Sequence, residues 1–300
     1  MLVILLAEEH RLIRNLVFRL VRRHIAGFTM NSALNAVKLL NGKGMGTTLT
    51  FLSEHVNDQL KARYNSNTYM QLIKQISRLH LDSSVSVRLS QIGFATGNGY
   101  ADRHLDELVA SAKQNGTMVW LEGGAGVGTE QLIGAYSERM GDYNNMGVEI
   151  PLSHYGNPER IVGMVKPKGA VRITPNQHMT DFAEEPKQEK GALDRYLAAV
   201  QSLIRRSSKV CIQESNDHLI SRIAAYGKAQ RRDLIFGIPF GYNSKKVKRL
   251  TKMKLKLDVY VPYGKDWTPY AIYGLAGSRL RGVALKLLNG QGYGGEDDSI

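Results

Sequence analysis

The chain has 300 residues, of which 43% are apolar and 22% are charged, a composition typical of a soluble protein with enough apolar residues for a large core. Its single cysteine, Cys211, excludes an internal disulfide and a cysteine-based zinc site, and we expect this thiol to be buried and inert. The net charge of +13 predicts a surface that attracts polyanions, either nucleic acid or an anionic membrane face.

The first predicted elements are two helical segments, residues 9–25 and 30–43, separated by Ala26-Gly27. Eight short runs with strand character follow, and helical patterns lie between them. The predicted strands are residues 48–53, 85–90, 117–122, 146–151, 170–174, 209–213, 234–239 and 257–262. The predicted helices between them are 67–80, 102–114, 129–140, 157–165, 192–206, 217–229 and 244–253, and a last one runs from near Pro269 to about Leu288.

This alternation of strands and helices predicts an α/β protein built from βαβ units with a parallel sheet. Eight units in roughly 250 residues match a single distorted (βα)8 TIM-like barrel. An open doubly wound sheet is the alternative, but it would normally begin with a strand and a glycine-rich turn, whereas this chain begins with helices. The predicted domains are an N-terminal helical arm over 1–44, the barrel over 45–288 and a disordered, glycine-rich tail over 289–300.

Charged residues occur near the carboxyl ends of several predicted strands, where a barrel of this kind binds its ligand. Arg88 and Arg172 alternate with apolar neighbours, so each is expected to point into the barrel and to need a partner there. Glu122 at the end of the third strand is the predicted partner of Arg88, either in a structural ion pair or in a substrate clamp. The histidines show no metal-binding spacing, so no metal site is predicted.

Two other segments have more than one interpretation. The glycine-rich run EGGAGVG, residues 122–128, is either a flexible loop or a phosphate-binding turn, and it lacks the lysine of a Walker motif. The basic segment 245–256 alternates Lys and Arg with apolar residues. It is either an amphipathic helix whose lysines lie in solvent or a patch that binds a membrane surface or nucleic acid.

The end of the last predicted strand resembles a known enzyme family. VYVPYGKDWTPY, residues 259–270, resembles the eighth strand and following loop of bacterial proline dehydrogenases, FAD-dependent distorted (βα)8 barrels that oxidise L-proline and pass electrons to a membrane quinone. LVRRHIAGFTMNSAL (20–34) is similar to the family's N-terminal helix segment, and VSVRLSQIGF (85–94) is similar to its second-strand pattern. The resemblance extends weakly over most of residues 20–290.

This resemblance implies roles for side chains on five of the strands or the loops that follow them. Residues that match the family's substrate pocket are Arg88, Glu122, Tyr260 and Tyr270. Arg172 matches an arginine near the flavin N5 atom, which implies a catalytic and cofactor-binding role. Asn216 matches an asparagine of the sixth-strand motif, which implies a cofactor contact. The implied cofactor is FAD and the implied substrate is a small molecule.

Other positions depart from the family pattern. The arginine pair that follows the pocket tyrosine and binds the proline carboxylate is absent from Tyr270-Ala271-Ile272-Tyr273-Gly274, so we expect weak activity on L-proline itself. Residues 173–177 lack the family's lysine, a histidine is replaced by Ser215, and two flavin-facing glutamines are replaced by Pro151 and Gly237. Two functions remain as hypotheses: an FAD-dependent oxidoreductase of a small amine or imino acid, or an FAD-less barrel that serves as a binding or scaffold protein.

The expected location is the cytoplasm. The apolar start MLVILLAEEH is too short for a secretory leader or a membrane span. The family implies a peripheral contact between the basic face and the inner face of the membrane, near a quinone. A nucleic-acid partner is not expected, because no recognised nucleic-acid-binding motif accompanies the charge. The sequence does not indicate an oligomeric state.

Overall fold

The computed structural model describes residues 22–53, 56, 58–94, 99–152, 158–174, 191–214, 216–242, 244–267 and 270. Most of the predicted first helix, the predicted last helix and the predicted tail over 289–300 lie outside these described residues. Within the predicted N-terminal arm the described part consists of a 3-10 helix, Arg22–His24, and one α-helix.

The eight strands form a closed parallel barrel in chain order, and the last strand pairs with the first. This closure confirms the predicted (βα)8 fold, and the open doubly wound alternative is wrong. The strands are β1 Gly46–Phe51, β2 Ser83–Arg88, β3 Val119–Glu122, β4 Met146–Pro151, β5 Ala170–Thr174, β6 Lys209–Gln213, β7 Leu234–Pro239 and β8 Lys256–Tyr263.

One described α-helix precedes the barrel and the others connect its strands. They are α1 Met30–Asn41, α2 Gln59–Arg78, α3 Tyr100–Gln114, α4 Thr129–Arg139, α5 Pro158–Met164, α6 Ala192–Arg206, α7 Asp217–Ala229 and α8 Ser244–Lys252. Helix α2 begins eight residues before its predicted start at 67 because Asp58 caps it, accepting a hydrogen bond from the Lys61 amide at 2.8 Å. The periodicity missed these turns because they bury small or polar residues, among them Ala62 and Asn65.

The second strand ends earlier than its pattern indicates. It was predicted to reach Ser90, but β2 ends at Arg88 and the chain continues as a 3-10 helix, Leu89–Ile92. Gly93 ends this turn with a φ of 105°, a left-handed conformation that favours glycine. The turn directs the chain toward α3.

Alternation along the strands separates an apolar layer from a polar barrel interior. On β2, Val85 and Val87 are fully buried in the core between the sheet and the helices. Burial of such a side chain contributes roughly 1.5–3 kcal/mol relative to exposure. The alternate residues of the same strand, Ser84, Ser86 and Arg88, bond to side chains of the neighbouring strands β1 and β3. The strands therefore carry charged and polar groups into the interior, where a ligand site is built.

The lower part of the barrel interior is filled by a small cluster of Trp120, Ala170 and Cys211. Gly147 on β4 is required beside it, because a Cβ at that position would overlap the Trp120 ring. Cys211 is buried, as predicted, and burial raises the pKa of its thiol to about 12. The thiol is therefore protonated at neutral pH and unreactive.

Candidate active site

An ion pair joins the ends of the second and third strands. Arg88 and Glu122 are register partners in the β2–β3 ladder, and Arg88 Nε lies 3.2 Å from Glu122 Oε2. Both side chains are buried. The predicted pairing of these two residues is therefore correct. A buried ion pair adds little net stability, but a substitution that removes one partner destabilises the protein strongly because the other charge is left unpaired.

Tyr260 on β8, which is far from Arg88 and Glu122 in the sequence, contacts both members of this ion pair. Its hydroxyl oxygen lies 2.9 and 3.2 Å from the two Glu122 carboxylate oxygens, and it donates its hydrogen to them. Arg88 Nη2 approaches the same hydroxyl at 3.5 Å. Burial, followed by the charge of Glu122, raises the pKa of Tyr260 well above its usual value. The phenol therefore stays protonated and acts as a donor.

Arg172 on β5 lies fully buried in the barrel interior, with no exposed surface. Its Nη1 donates to Ser86 Oγ at 2.9 Å and its Nη2 donates to Thr48 Oγ1 at 3.0 Å. The guanidinium carbon lies 4.6 Å from the centre of the Trp120 ring, a cation–π distance. Nη1 also lies 3.5 Å from Glu122 Oε1, so the two arginines share one carboxylate.

Sequence reasoning missed two acids in this interior, the buried Glu149 on β4 and the half-buried Asp258 on β8. Glu149 Oε2 lies 3.9 Å from Arg172 Nη1. Asp258 accepts a hydrogen bond from Thr48 Oγ1 at 2.5 Å, and burial raises its pKa, which favours the neutral carboxyl form. Alternation with apolar neighbours was the signal that could have identified both acids.

The structure places the two remaining predicted residues differently. The Tyr270 ring stacks near the Tyr260 ring at 6.5 Å between centroids, at the edge of the same cluster. Asn216 is exposed and caps α7, where its Oδ1 accepts hydrogen bonds from the His218 and Leu219 amides at 2.9 and 3.2 Å. Its side chain makes no described contact with the cluster. Five of the six predicted residues are therefore brought together.

The glycine-rich run between β3 and α4 packs against the end of β2. Gly124 has a φ of 89°, and a Cβ there would overlap the Ser90 side chain. The close approach of two strand ends therefore accounts for this glycine. Residues 175–177 and Ser215, which depart from the family pattern, lie outside the described residues.

Neither a metal cluster nor a membrane span is found in the part of the chain that the structure describes. No group of three or more His, Cys, Asp or Glu side chains is placed there to hold a metal ion. Among the described helices, none combines the length and apolar character needed to cross a bilayer.

Curated proteins similar to this chain are proline dehydrogenases, although no protein-family model matches it. Proline dehydrogenase 1 from Bacillus subtilis subsp. natto is 24% identical over 258 residues, which cover 85% of each protein. Proline dehydrogenase 2 from Bacillus subtilis strain 168 is 20% identical over 255 residues, 84% of each. The Deinococcus radiodurans proline dehydrogenase is 23% identical over 275 residues, 88% of this chain and 87% of that protein.

Solved structures of proline utilization A (PutA) have a similar backbone. PutA from Bdellovibrio bacteriovorus, inactivated by N-propargylglycine, matches with a TM-score of 0.70 and 15% identity over 89% of this chain. PutA from Corynebacterium freiburgense matches with a TM-score of 0.65 and 15% identity over 94% of this chain. The chain spans only 35% and 33% of the lengths of these two PutA chains, and the likeness shows a common barrel fold.

Proposed function

We propose, because this chain is a member of the proline dehydrogenase family, that it is an FAD-dependent oxidoreductase acting on a small amine or imino acid at the barrel mouth. The observation that carries the proposal is the convergence of Arg88, Glu122 and Tyr260 above Arg172. Sites of (βα)8 enzymes are built from such strand ends. Relatives named proline dehydrogenase cover 85% of the chain.

The described residues fit a flavin at one point in the interior. Arg172 Nε has no hydrogen-bond partner among the described residues, although the side chain is fully buried. A buried donor without an acceptor is unfavourable unless a ligand supplies one. A ring nitrogen or carbonyl oxygen of the flavin is an acceptor of this kind. Arg172 would therefore hold the redox-active end of FAD, and Asn216 is proposed as a contact from the rim.

Each remaining residue of the cluster has a proposed part in binding the substrate. When bound, FAD supplies the hydride acceptor for oxidation of a carbon–nitrogen bond. Glu122 is placed to stabilise the positive charge of an amine substrate and of the imine that forms from it. Arg88 is placed to attract an anionic group of the same substrate. Tyr260 and Tyr270 would form an apolar wall that limits its size.

We further propose that L-proline is a poor substrate. Binding of the substrate carboxylate would depend on Arg88, because residues 271–274, directly after Tyr270, contain no arginine. Arg88 already pairs with Glu122 at 3.2 Å, so part of its charge is neutralised inside the protein. A charge-assisted hydrogen bond to a carboxylate contributes about 1.5–3 kcal/mol, so the absence of two such donors lowers affinity strongly. A substrate without a carboxylate would not be affected.

One observation favours the second candidate function, a barrel that binds partners or ligands without FAD. Arg172 is enclosed by the chain's own groups, and two of its nitrogens already have hydroxyl partners. Beside it, Gln213 fills the space next to Gly237, with its Cγ 2.6 Å from where a Cβ of that glycine would lie. In this candidate the interior polar network serves structure instead of redox chemistry.

Flavin content of the purified protein separates the two candidates. The oxidoreductase should absorb at about 450 nm, or should do so after incubation with FAD, and should reduce a dye with one or more members of an amine and imino-acid panel. Arg172→Ala and Arg172→Lys should both lower FAD affinity, with the larger effect in the alanine variant. Colourless protein that binds no added FAD would contradict the oxidoreductase proposal and favour the second candidate.

The matched control is Arg139→Ala, at another buried arginine. Arg139 pairs with Asp106 at 2.5 Å and with Asp102 at 2.8 Å on the outside of the barrel. Its loss should lower thermal stability and leave FAD affinity unchanged. Equal loss of FAD by this control would mean that Arg172 acts only through folding.

A cytoplasmic location with peripheral membrane contact is proposed with this function. The supporting observation is the basic helix α8, whose exposed cations include Lys245, Lys248 and Lys252. A polybasic surface of this kind is attracted to anionic lipid headgroups.

A further inference from the structure

A cavity of about 420 Å³ lies at the amino-terminal end of the barrel, opposite the candidate active site. Residues at or just before the starts of strands line it, among them Thr47 on β1 and Lys209 on β6. The lining also includes Trp120 and Cys211, which are 2% and 1% exposed, so the cavity extends into the barrel. Its volume is in the range of small-molecule sites, roughly 300–1,000 Å³.

The cavity is separate from the candidate active site. The Arg172 guanidinium carbon lies 4.6 Å from the centre of the Trp120 ring. On its other side Arg172 contacts Ser86 and Glu122, which belong to the active-site cluster. Arg172 and Trp120 therefore lie between the two spaces, and a ligand in this cavity would not occupy the barrel mouth.

Trp120 brings an unused hydrogen-bond donor to the cavity. The residue is almost completely buried, yet its indole N–H makes no hydrogen bond with any described residue. The nitrogen is not fully enclosed by protein atoms, so a group in the cavity can reach it. Because a polar group in so buried a place normally has a partner, this N–H indicates that the cavity holds an acceptor.

Lys209 brings a cation without an acidic partner among the described residues. Its Nζ lies 3.3 Å from Met118 Sδ, and a thioether sulfur is only a weak acceptor. Lys209 begins β6 and Met118 immediately precedes β3, three strands away around the barrel. The two side chains therefore meet across the opening of the cavity, and the ammonium group is available there to an anion.

Two carboxyl groups of the cavity meet at Gly46. A Cβ at this position would lie 3.3 Å from Asp82 Oδ2 and 3.8 Å from Asp258 Oδ1. Asp258 accepts a hydrogen bond from Thr48, whereas the Asp82 side chain makes no hydrogen bond or ion pair with any described residue. The glycine leaves space beside both carboxyl groups for a cationic group.

The unpaired Lys209 and Asp82 line one cavity without contacting each other. Asp82 immediately precedes β2 and Lys209 begins β6, and these strands are four apart in either direction around the ring of eight. A ligand with one charge would be attracted to one of the two residues and repelled by the other. A ligand with both charges would pair with both residues.

We propose that this cavity is a second ligand site, which binds a small zwitterion of the ω-amino acid type. The carboxylate of the ligand pairs with Lys209 and accepts from the Trp120 N–H, and its ammonium group lies at Asp82 and Asp258. The chain between the two charged groups of an ω-amino acid suits the separation of Lys209 from Asp82. The site goes beyond the proposed oxidoreductase function and does not depend on bound flavin.

Isothermal titration calorimetry of the full chain tests the proposal. The probes are β-alanine, γ-aminobutyrate and ε-aminocaproate, with butyrate and butylamine as ligands that carry one charge each. At least one ω-amino acid should bind about tenfold or more tightly than either singly charged ligand, because it makes charge-assisted hydrogen bonds at both ends. Absence of binding, or equal affinity for butyrate or butylamine, would overturn the proposal.

Two variants locate the binding. Lys209→Met should lower the affinity for the best ω-amino acid by about tenfold or more and leave that for butylamine no weaker. Asp82→Asn should lower the affinity for the same ω-amino acid and leave that for butyrate no weaker. The matched controls Lys74→Met on α2 and Asp142→Asn after α4 remove exposed charges elsewhere and should change affinity less than about twofold.

Thermal unfolding of each variant first shows that it is folded. Affinity for the ω-amino acid that is unchanged in both cavity variants would overturn the proposal, since binding would then occur elsewhere, for example at the barrel mouth. Losses in the two controls as large as those in the cavity variants would overturn it as well, because overall charge would then explain binding. Flavin content is measured separately, so failure of the oxidoreductase proposal would not alter these outcomes.

Discussion

Tyr260 donates its hydroxyl hydrogen to the same Glu122 carboxylate that pairs with Arg88, at oxygen–oxygen distances of 2.9 and 3.2 Å. One acid therefore neutralises an arginine, accepts from a phenol and lies 3.5 Å from Arg172. This carboxylate on β3 therefore contacts side chains from β2, β5 and β8.

Replacement of Glu122 by glutamine should destabilise the protein strongly. Glutamine keeps the size of the side chain but leaves the buried Arg88 and Arg172 without a shared negative charge. Loss of one partner of a buried pair lowers the free energy of unfolding by about 3–5 kcal/mol. Urea denaturation of the purified variant measures this change.

The control for that variant is Glu107→Gln. Glu107 pairs with Arg63 at 2.8 Å on the surface, where the two side chains are 37% and 48% exposed. Its loss should lower the free energy of unfolding by less than about 1 kcal/mol. A Glu122 variant as stable as this control would contradict the assigned role of the buried carboxylate.

Asp258→Asn should reduce the pH dependence of stability. Burial raises the pKa of Asp258 in the folded protein, so above the unfolded value of 3.8 the unfolded chain loses this proton first. The unfolded state then binds fewer protons than the folded state, and this residue's contribution to stability falls as pH rises toward the folded pKa. Asparagine keeps an acceptor for Thr48 and removes the titration. The free energy of unfolding of the variant, minus that of the unaltered protein, should therefore increase as pH rises above 3.8. A difference that does not change with pH would contradict the prediction.

Gly147→Ala should destabilise the barrel interior. A Cβ at this position would overlap the Trp120 ring, which in turn lies 4.6 Å from the Arg172 guanidinium. Overpacking of this kind lowers the free energy of unfolding by about 1–3 kcal/mol. Gly134→Ala in α4 is the matched control, because a Cβ there meets nothing within 4 Å. It should stabilise the helix by about 0.5–1 kcal/mol, so opposite signs are expected in thermal unfolding of the two variants.

Periodicity was sufficient to predict the strands of the barrel. Four strands, β4 to β7, match their predicted bounds, because each is a short apolar or alternating run between clear breaks. The ends of β2 and the start of α2 were predicted less well. A 3-10 turn ends β2 and an Asp58 cap begins α2. Both depend on local hydrogen bonds, which the periodicity of apolar residues does not predict.

The sequence predicted only part of the candidate site. Arg88 and Glu122 were paired from sequence because they end adjacent strands. Asn216 was assigned to the cofactor from its motif, yet its side chain caps α7, since an asparagine before a helix satisfies exposed backbone amides. The cofactor role of Asn216 stays a prediction.

The sequence by itself determined the alternation that turns Arg172, Glu149 and Asp258 toward the barrel interior, because the side-chain direction in a strand repeats every two residues. Only the tertiary structure decided which groups they meet. Closure of β8 on β1 brings Thr48 to Asp258, residues far apart in the chain, and the same closure places Tyr260 over Glu122. The partners of a buried charge depend on how strands are staggered around the barrel, and no short segment of sequence contains that information.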